Sequence, residues 1–388
     1  MTLKGWRYLH PFLYYRAAAG KVLSARSEIS YMEDFSLLRF LVDVRGSDLH
    51  IKAGSKPCLR VDGVLRSADL PVFDMDEVEQ FALTMMNDRQ KNLFADKNEI
   101  DFALTLPGIG RFRTNIFKQR GSIGLAIRRV MSEQLSIAEL DLPPIVEELV
   151  QEPRGLILVT GVAGSGKTTT LNTMIDHINR TQQRHIITIE DPIEVLHKDI
   201  NSFVNQREIG VDTDSYADAL KHVVRQDPDV IMIGEMRDME TAQASLTAAE
   251  IGNLVLSSLH TVDTAETINR IIDLFPPYQQ KQVRIMLAAT LKGIISLRLL
   301  PRVGGGRIPA VEVMVSTATI KEYIINEDET SKINEAIEQG GYYGMQSFDQ
   351  ALLSLIEADK IRSEDALAMS SHAHDFKLKA KQAGFFVA

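Results

Sequence analysis

A glycine-rich segment that ends in lysine and threonine carries the clearest chemistry in this sequence. Residues 161–168 read Gly-Val-Ala-Gly-Ser-Gly-Lys-Thr, which fits the pattern G-x-x-x-x-G-K-S/T of a phosphate-binding loop. Its glycines allow the backbone to curl so that successive N–H groups point at a phosphate. Lys167 is placed to reach the β- and γ-phosphates of ATP, and the Thr168 hydroxyl to ligate Mg²⁺. The predicted nucleotide ligands are Gly161, Val162, Ala163, Gly164, Ser165, Gly166, Lys167, Thr168 and Thr169.

The elements around this loop predict a parallel sheet. Four apolar runs, at residues 156–160, 186–189, 230–233 and 254–259, are separated by helical patterns. Such an alternation is typical of a parallel sheet that is covered by helices on both faces. The periodicity further predicts a helix over residues 279–298 and mostly amphipathic helix from residue 316 to the end.

Polar side chains follow these predicted strands at the point where each strand ends. Glu194 comes shortly after the second run, Glu235 shortly after the third and His260 directly after the fourth. Ligands of such sheets bind outside the carboxyl ends of the strands. ATP hydrolysis requires Mg²⁺, a carboxylate that holds or orients water, and a group that senses the γ-phosphate. The three side chains have the chemistry for these roles, and Thr168 and Glu235 are the candidate metal ligands. A histidine considered alone is more often a hydrogen-bonded structural residue.

The preceding part of the chain, residues 32–130, predicts a small α+β domain. Its last strands, over residues 110–130, are rich in arginine and include Arg113 and Arg128. Arginines along a strand are most often solvated edge residues. Beside a nucleotide-binding domain, however, arginine can stabilise the charge that develops on a transferred phosphate. The residues alone leave both interpretations open.

Composition and charge limit the classes of function. The chain has 388 residues, of which 45% are hydrophobic and 24% charged, as in globular proteins of two or three domains. Its net charge of -9 argues against nucleic-acid binding as the main activity, because that activity needs a basic surface. The single cysteine, Cys58, excludes an internal disulfide and a cysteine-based zinc site. No apolar run approaches the ~20 residues of a membrane-spanning helix.

Residues 1–31 differ from the rest, with five basic residues against one acidic residue and several aromatic ones. The segment lacks the apolar core of a signal peptide. One interpretation is a basic segment that lies on a membrane surface. We favour the other, an extension upstream of a true start at Met32, because the organised pattern begins there.

Taken together, seven segments resemble the secretion-type hexameric ATPases and, among them, the PilT/PilU family of type IV pilus retraction ATPases. The segments are residues 46–50, 161–168, 188–194, 234–238, 259–261, 270–276 and 304–308. The similarity extends from about residue 32 to about residue 367.

This resemblance implies a fold, an assembly and a function. The fold is α/β: a PAS-like α+β domain at 32–130, a linker at 131–145, a RecA-like P-loop ATPase core at 146–315 and a C-terminal helical region at 316–388. The implied assembly is a homohexameric ring that hydrolyses ATP with Mg²⁺ and powers pilus retraction in twitching motility. It would work in the cytoplasm at the inner membrane, with the pilus platform protein and a paralogous retraction ATPase as partners. Neither zinc nor nucleic acid is expected.

The resemblance also implies roles for individual residues. Glu235 would be the Walker B catalytic glutamate, and Glu194 the Asp-box carboxylate that acts on the attacking water. His260 would couple the γ-phosphate to domain movement. Arg113 and Arg128 would meet the nucleotide phosphates when the site closes, and Arg207 would be a further nucleotide ligand.

Two departures from the family pattern keep alternatives open. Val162 and Ala163 replace the usual Pro-Thr of the loop, but these positions supply mainly backbone, so nucleotide binding should survive. Residues 319–324 read Thr-Ile-Lys-Glu-Tyr-Ile where the family has Ala-Ile-Arg-Asn-Leu-Ile. A PilU-like accessory ATPase and a weakly active, nucleotide-binding regulatory ring subunit therefore remain alternatives. An extension ATPase ranks lower, because the four-cysteine zinc motif of that class cannot form here.

Overall fold

The computed structural model describes residues 35–61, 63–130, 135–382 and 384–385. The expectation for residues 1–31 therefore lies outside the described residues. The chain divides into two compact units, residues 1–132 and 133–388, which are described separately below as unit 1 and unit 2. This division falls close to the predicted end of the first domain at residue 130.

Unit 1 is an α+β fold built on one antiparallel sheet. The six strands have the order β3-β2-β1-β6-β5-β4, and α2 packs on β6 and β1. Its elements are α1 (Ser36–Asp43), β1 (Asp48–Lys52), β2 (Cys58–Val61), β3 (Val64–Ser67), α2 (Met75–Met85), α3 (Asp88–Lys97), β4 (Glu99–Leu106), β5 (Gly110–Gln119) and β6 (Ser122–Val130).

Local sequence explains how these elements form. Asp74 and Asn87 cap α2 and α3 in capping boxes, which satisfy backbone N–H groups that a helix leaves without intrahelical partners. The apolar faces of α1 and α2 pack against the sheet around fully buried aromatic side chains such as Phe81 and Phe112. Unit 1 thus has a hydrophobic core of its own.

Unit 2 carries the predicted nucleotide site on a second, larger sheet. Its strands are β7 (Gly155–Thr160), β8 (His185–Glu190), β9 (Phe203–Glu208), β10 (Val230–Ile233), β11 (Leu254–Leu259), β12 (Leu291–Pro301) and β13 (Arg307–Val315). Its first helices are α4 (Ile145–Leu149), α5 (Lys167–Thr181), α6 (Tyr216–Val223), α7 (Met239–Ile251), α8 (Thr264–Asp273) and α9 (Pro277–Thr290).

The order of the seven strands is β13-β12-β7-β11-β10-β8-β9. Every neighbouring pair is parallel except β12 and β13. β7, β10 and β11 are buried along their whole length, and separate apolar clusters cover the two faces of the sheet. The register pairs Leu259 with Thr160, and pairs Ile233 with both Ser257 and Ile189. The carboxyl ends of β7, β11, β10 and β8 therefore lie side by side.

The predicted helix over residues 279–298 is wrong in its second half. Helix α9 ends at Thr290, and β12 begins at Leu291 and pairs with the central strand β7. The buried run from Ile294 to Leu297 lies in the middle of the sheet. Because such a run is buried on both faces and mostly apolar, periodicity does not distinguish it from a buried helix.

The region after β13 is mostly helical, as the periodicity predicts. It comprises α10 (Ala318–Ile325), α11 (Ile333–Gln339), α12 (Phe348–Glu357), α13 (Ser363–Met369) and α14 (Ala373–Gln382), with 3₁₀ turns at Glu327–Lys332 and Gly341–Tyr343. Phe348, Leu352 and Ile356 are buried on one face of α12, against Leu300 and Ile308 of the last two strands. Within the described residues, none of the helices has the length and apolar character needed to cross a membrane.

Candidate functional site

The phosphate loop joins β7 to α5 in a conformation that depends on its glycines. Gly161, Gly164 and Gly166 have φ angles of 143°, 78° and 102°, a region that other residues rarely adopt. A Cβ atom on Gly161 would lie 2.4 Å from Ser165 Oγ and 2.6 Å from the carbonyl oxygen of Leu297. Gly166 is the N-cap of α5, and no side chain caps this helix. The first N–H groups of α5 are therefore available to an anion.

Lys167 is buried, and its ammonium group is held by the loop itself. Its Nζ donates to the carbonyl oxygens of Gly161 (2.8 Å) and Val162 (3.1 Å) and lies 3.1 Å from Nδ1 of His260. Burial lowers the pKa of Lys167, and the negative charge of Glu235 opposes this shift. Because an ammonium group only donates, Nδ1 of His260 accepts here and the histidine proton is assigned to Nε2.

Glu235 lies two residues beyond β10, and the side chains of Arg237 and His260 contact its carboxylate. Nε of Arg237 donates to Oε2 at 2.7 Å, and Nε2 of His260 lies 3.2 Å from Oε1. The Glu235 side chain is 15% exposed, whereas those of Arg237 and His260 are 65% and 48% exposed. The structure thus joins three predicted site residues in the order Lys167–His260–Glu235.

A second carboxylate site follows β8, and here the buried group is a residue that the sequence reasoning did not select. Glu190 is buried and accepts from Thr188 Oγ1 at 2.6 Å and from Gln206 Nε2 at 3.0 Å. Burial raises the pKa of Glu190, although these hydrogen bonds oppose the shift. Glu194, the predicted residue, is exposed, and its backbone N–H donates to the Glu190 carboxylate. The position of Glu190 at the end of an apolar run was the available signal.

The remaining predicted ligands in unit 2 are placed differently. Thr168 is half-buried at the start of α5, next to the exposed Thr169. Arg207 lies on the edge strand β9, and its Nη2 donates to the carbonyl oxygen of Asp212 at 2.9 Å. Three strands, β11, β10 and β8, lie between β7 and β9 in the sheet. The structure therefore does not bring Arg207 to the phosphate loop of the same chain.

A cavity of about 290 Å³ adjoins the phosphate loop. Its walls are the loop residues 161–165, residues 297–299 of β12, Val262, Arg307 and Met369. The guanidinium of Arg298 lies 3.7 Å from the ring centroid of Phe348 and donates to the carbonyl oxygen of Met369 at 2.6 Å. The C-terminal helices thus contribute to a pocket that adjoins the phosphate loop.

In unit 1, Arg113 and Arg128 are direct cross-strand partners on β5 and β6. Both are exposed, but their surroundings differ. Arg128 donates through Nε to Asp48 Oδ1 at 2.8 Å, and the Asp48 side chain is only 9% exposed. Burial alone would raise the pKa of Asp48, but hydrogen bonds from Ser47 and Arg128 lower it overall. Arg113 makes no such ion pair within the described residues.

Comparisons with known proteins match this chain to one family over most of its length. The profile of the family described as "Type II/IV secretion system protein" matches residues 41–306. The type IV pilus retraction ATPase PilT of Pseudomonas aeruginosa is 42% identical over 86% of this chain and 97% of its own length. The type IV pilus ATPase PilU of the same organism is 39% identical over 90% of this chain and 92% of its own length. A crystal structure of the pilus retraction motor PilT with bound ADP superposes on this chain with a TM-score of 0.82. The match covers 88% of this chain and 97% of the PilT chain, and the two sequences are 42% identical.

Proposed function

The chain belongs to the family of type II/IV secretion system proteins and, within it, to the PilT group of ATPases, and we propose that it couples ATP hydrolysis to the retraction of a type IV pilus. The observation that carries this proposal is the contact of His260 with both Lys167 and Glu235 beside the phosphate loop. Two groups that follow neighbouring strands and one at the start of α5 meet there, as a site that hydrolyses a nucleotide requires.

ATP would bind with its phosphates in the loop at residues 161–168. The fit is supported by the glycine conformations, by the uncapped start of α5, and by the buried Ser165 Oγ, which has no hydrogen-bond partner within the described part of the chain. The neighbouring cavity, with Leu297 and Leu299 in its wall, suits the flat face of a nucleotide base.

Mg²⁺, when bound with ATP, neutralises charge on the phosphate oxygens. The groups that would hold it are the Thr168 hydroxyl and, through a water molecule, the Glu235 carboxylate. Oxygen donors of this kind suit Mg²⁺, which keeps several of its waters in such sites.

Hydrolysis would depend on a rearrangement of the Lys167–His260–Glu235 contacts. The three donors of the Lys167 ammonium are occupied by two carbonyl oxygens and by His260. To reach the phosphates, Lys167 must exchange these partners for phosphate oxygens. His260 would then lose one of its two contacts and keep Glu235, which acts as the general base, while Glu194 orients the attacking water. Nucleotide occupancy and the position of His260 are therefore linked.

The assembly that we propose is a homohexameric ring at the cytoplasmic face of the inner membrane, where it would act on the pilus platform protein. Arg113 and Arg128 would approach the phosphates when the site closes. Arg207, on the edge of the large sheet, would contact the nucleotide bound to a neighbouring subunit. The cross-strand pairing of Arg113 with Arg128 supports this proposal, because directly opposed residues share one face of the sheet and an exposed arginine there attracts an anion.

A PilU-like accessory role is the second candidate, and the sequence of α10 favours it. Ile320 and Ile324, the two residues kept from the family segment, are fully buried, so packing alone accounts for them. The altered residues Lys321, Glu322 and Tyr323 are at least partly exposed, where a partner would contact them.

Complementation separates the two roles and tests the proposal. The chain is expressed in Pseudomonas aeruginosa strains that lack PilT or PilU, and twitching is measured. Restored twitching in the strain without PilT supports a primary retraction motor. Restoration only in the strain without PilU supports the accessory role. An active ATPase that restores neither strain would contradict a function in pilus retraction.

A further inference from the structure

Gln206 on the edge strand β9 holds the loop that carries Glu194, which we name the carboxylate loop (residues 191–197). We propose that Gln206 is a positioning residue for ATP hydrolysis: it fixes this loop so that Glu194 faces the attacking water. The inference rests on the proposed role of Glu194. It adds a residue to which neither the sequence pattern nor the comparisons assign a role.

The side chain of Gln206 uses its acceptor and both donors. Its Oε1 accepts from the backbone N–H of His197 at 2.8 Å. Its Nε2 donates to the carbonyl oxygen of Val195 at 2.8 Å and to Glu190 Oε1 at 3.0 Å. An amide is needed for this set, because a carboxylate could not donate and a hydrocarbon could do neither.

Two of the three hydrogen bonds of Gln206, those to Val195 and His197, hold the backbone on the C-terminal side of Glu194. Acidic side chains hold the N-terminal side. Glu208, also on β9, accepts from the backbone N–H of Ile193 at 3.1 Å. Glu190 accepts from the backbone N–H of Glu194 itself. The exposed Glu194 carboxylate makes no hydrogen bond within the described residues. Its position therefore depends on the backbone that Gln206 and its neighbours hold.

A hydrogen-bonded chain continues from the carboxylate loop to the phosphate-binding helix. Nε2 of His197 lies 2.9 Å from Asn172 Oδ1, and Asn172 Nδ2 donates to the carbonyl oxygen of Thr168 at 2.9 Å. Asn172 is buried, so its amide has little access to water. Gln206 thus fixes Glu194 relative to the helix that begins at Lys167, and this relative position is what orientation of a water molecule requires.

The test uses Gln206→Leu, which removes all three hydrogen bonds at similar volume, and Gln206→Asn, which keeps the amide on a shorter side chain. Gln243→Leu is the matched control, because Gln243 is exposed on α7 and, within the described residues, its side chain hydrogen-bonds only to Thr247 of the same helix. Hydrogen exchange of the backbone amides at residues 193–197 is measured in the full chain, together with kcat, KM and the Kd for ADP.

We expect faster exchange at residues 193–197 in both Gln206 variants, with the control unchanged. We expect kcat to fall about 10- to 100-fold in Gln206→Leu, with KM and the Kd for ADP within about twofold of wild type, because misplacement by about 1 Å is known to cost up to about 100-fold. A purely structural role would instead lower the unfolding temperature and shift binding and turnover together.

A double-mutant cycle with Glu194→Gln connects the two residues. If Gln206 acts through Glu194, adding Gln206→Leu to Glu194→Gln changes kcat by less than about twofold. The inference would be overturned if Gln206→Leu lowered kcat equally in wild type and in Glu194→Gln. It would also be overturned if Gln206→Leu changed neither the exchange at residues 193–197 nor kcat. A wild-type chain without ATPase activity would contradict the proposed function instead, and the exchange measurement would still decide whether Gln206 holds the loop.

Discussion

Nε2 of His260 lies 3.2 Å from Oε1 of Glu235, so the residue that follows β11 is joined to the carboxylate that follows β10. The other ring nitrogen of His260 contacts Lys167, the residue that we propose binds phosphate. One imidazole therefore touches both the proposed phosphate-binding group and the proposed general base. A nucleotide that draws the ammonium group of Lys167 towards its phosphates would therefore also change the contacts of His260.

Replacement of His260 with alanine tests this link. We expect kcat to fall by about 100-fold, because loss of the contact with His260 would misplace Glu235, and misplacement by about 1 Å can cost about that much. The affinity for ADP should change by less than a few-fold, because His260 contacts Lys167 and not the loop backbone. Steady-state ATPase assays and titration with a fluorescent ADP analogue measure the two quantities. The control is His222→Ala, because His222 is an exposed histidine on α6. If His260→Ala had the same kcat as this control, the contact of His260 would have no role in turnover.

Replacement of Lys167 with alanine should weaken nucleotide binding and not only slow turnover. A charge-assisted hydrogen bond contributes about 1.5–3 kcal/mol, so the Kd for ADP should rise by about 10- to 100-fold or more. Isothermal titration with ADP measures this, with Lys221→Ala on the surface of α6 as the matched control. An unchanged Kd for ADP would mean that the ammonium group stays with the loop carbonyls when the nucleotide binds.

The two paired arginines of unit 1 should respond differently to alanine. Arg113→Ala should lower kcat by about 10³-fold, as removal of an arginine that stabilises transferred phosphate does, and leave the unfolding temperature unchanged. Arg128→Ala should also destabilise the protein by about 0.5–1 kcal/mol, because it removes the ion pair with the largely buried Asp48. ATPase assays and thermal unfolding distinguish these effects, with Arg89→Ala on α3 as the control. Loss of ADP binding in Arg113→Ala with unchanged turnover per bound nucleotide would contradict the proposed role.

Glu312 on β13 should make stability depend on pH. It accepts from the N–H and hydroxyl of Thr264, and burial raises its pKa from the ordinary 4.5 to about 7. The nearby negative charge of Asp263 adds to this shift, and Arg298 opposes it. Because the folded protein holds this proton more tightly than the unfolded chain, the stabilisation is full below pH 4.5 and is lost as the pH rises through 7. The difference corresponds to roughly 3 kcal/mol.

Glu312→Gln keeps an acceptor for Thr264 but cannot ionise. Thermal unfolding between pH 5 and pH 8 should therefore show that the variant gains stability relative to wild type as the pH rises. If the difference between the two proteins is the same at both pH values, Glu312 does not titrate in this range.

The sequence was sufficient to predict the parts of the site that local pattern determines. The phosphate loop is recognisable because a strand, three glycines and a helix follow one another directly. Glu235 and His260 could be placed because parallel strands end at one edge of a sheet. The seven-stranded sheet and the similarity to PilT confirm the predicted fold class and family. The roles of Arg113, Arg128 and Arg207 stay predictions.

Other features depend on contacts between residues that are distant in sequence. Nothing local shows that Glu190 is buried while Glu194 is exposed, or that Gln206 holds three atoms of another segment. The strand β12 was mistaken for helix because its middle is buried on both faces and mostly apolar. Side-chain partners of this kind can be identified only from the tertiary structure.

The central claim is that this chain hydrolyses ATP with Glu235 as the general base, and one comparison tests it most directly. Steady-state ATP hydrolysis and ADP binding are measured for wild type and for Glu235→Gln, which keeps the size of the side chain and removes its charge. We predict that kcat falls by about 10²- to 10³-fold in the variant while the Kd for ADP stays within a few-fold. Equal rates of ATP hydrolysis in the two proteins would contradict the account.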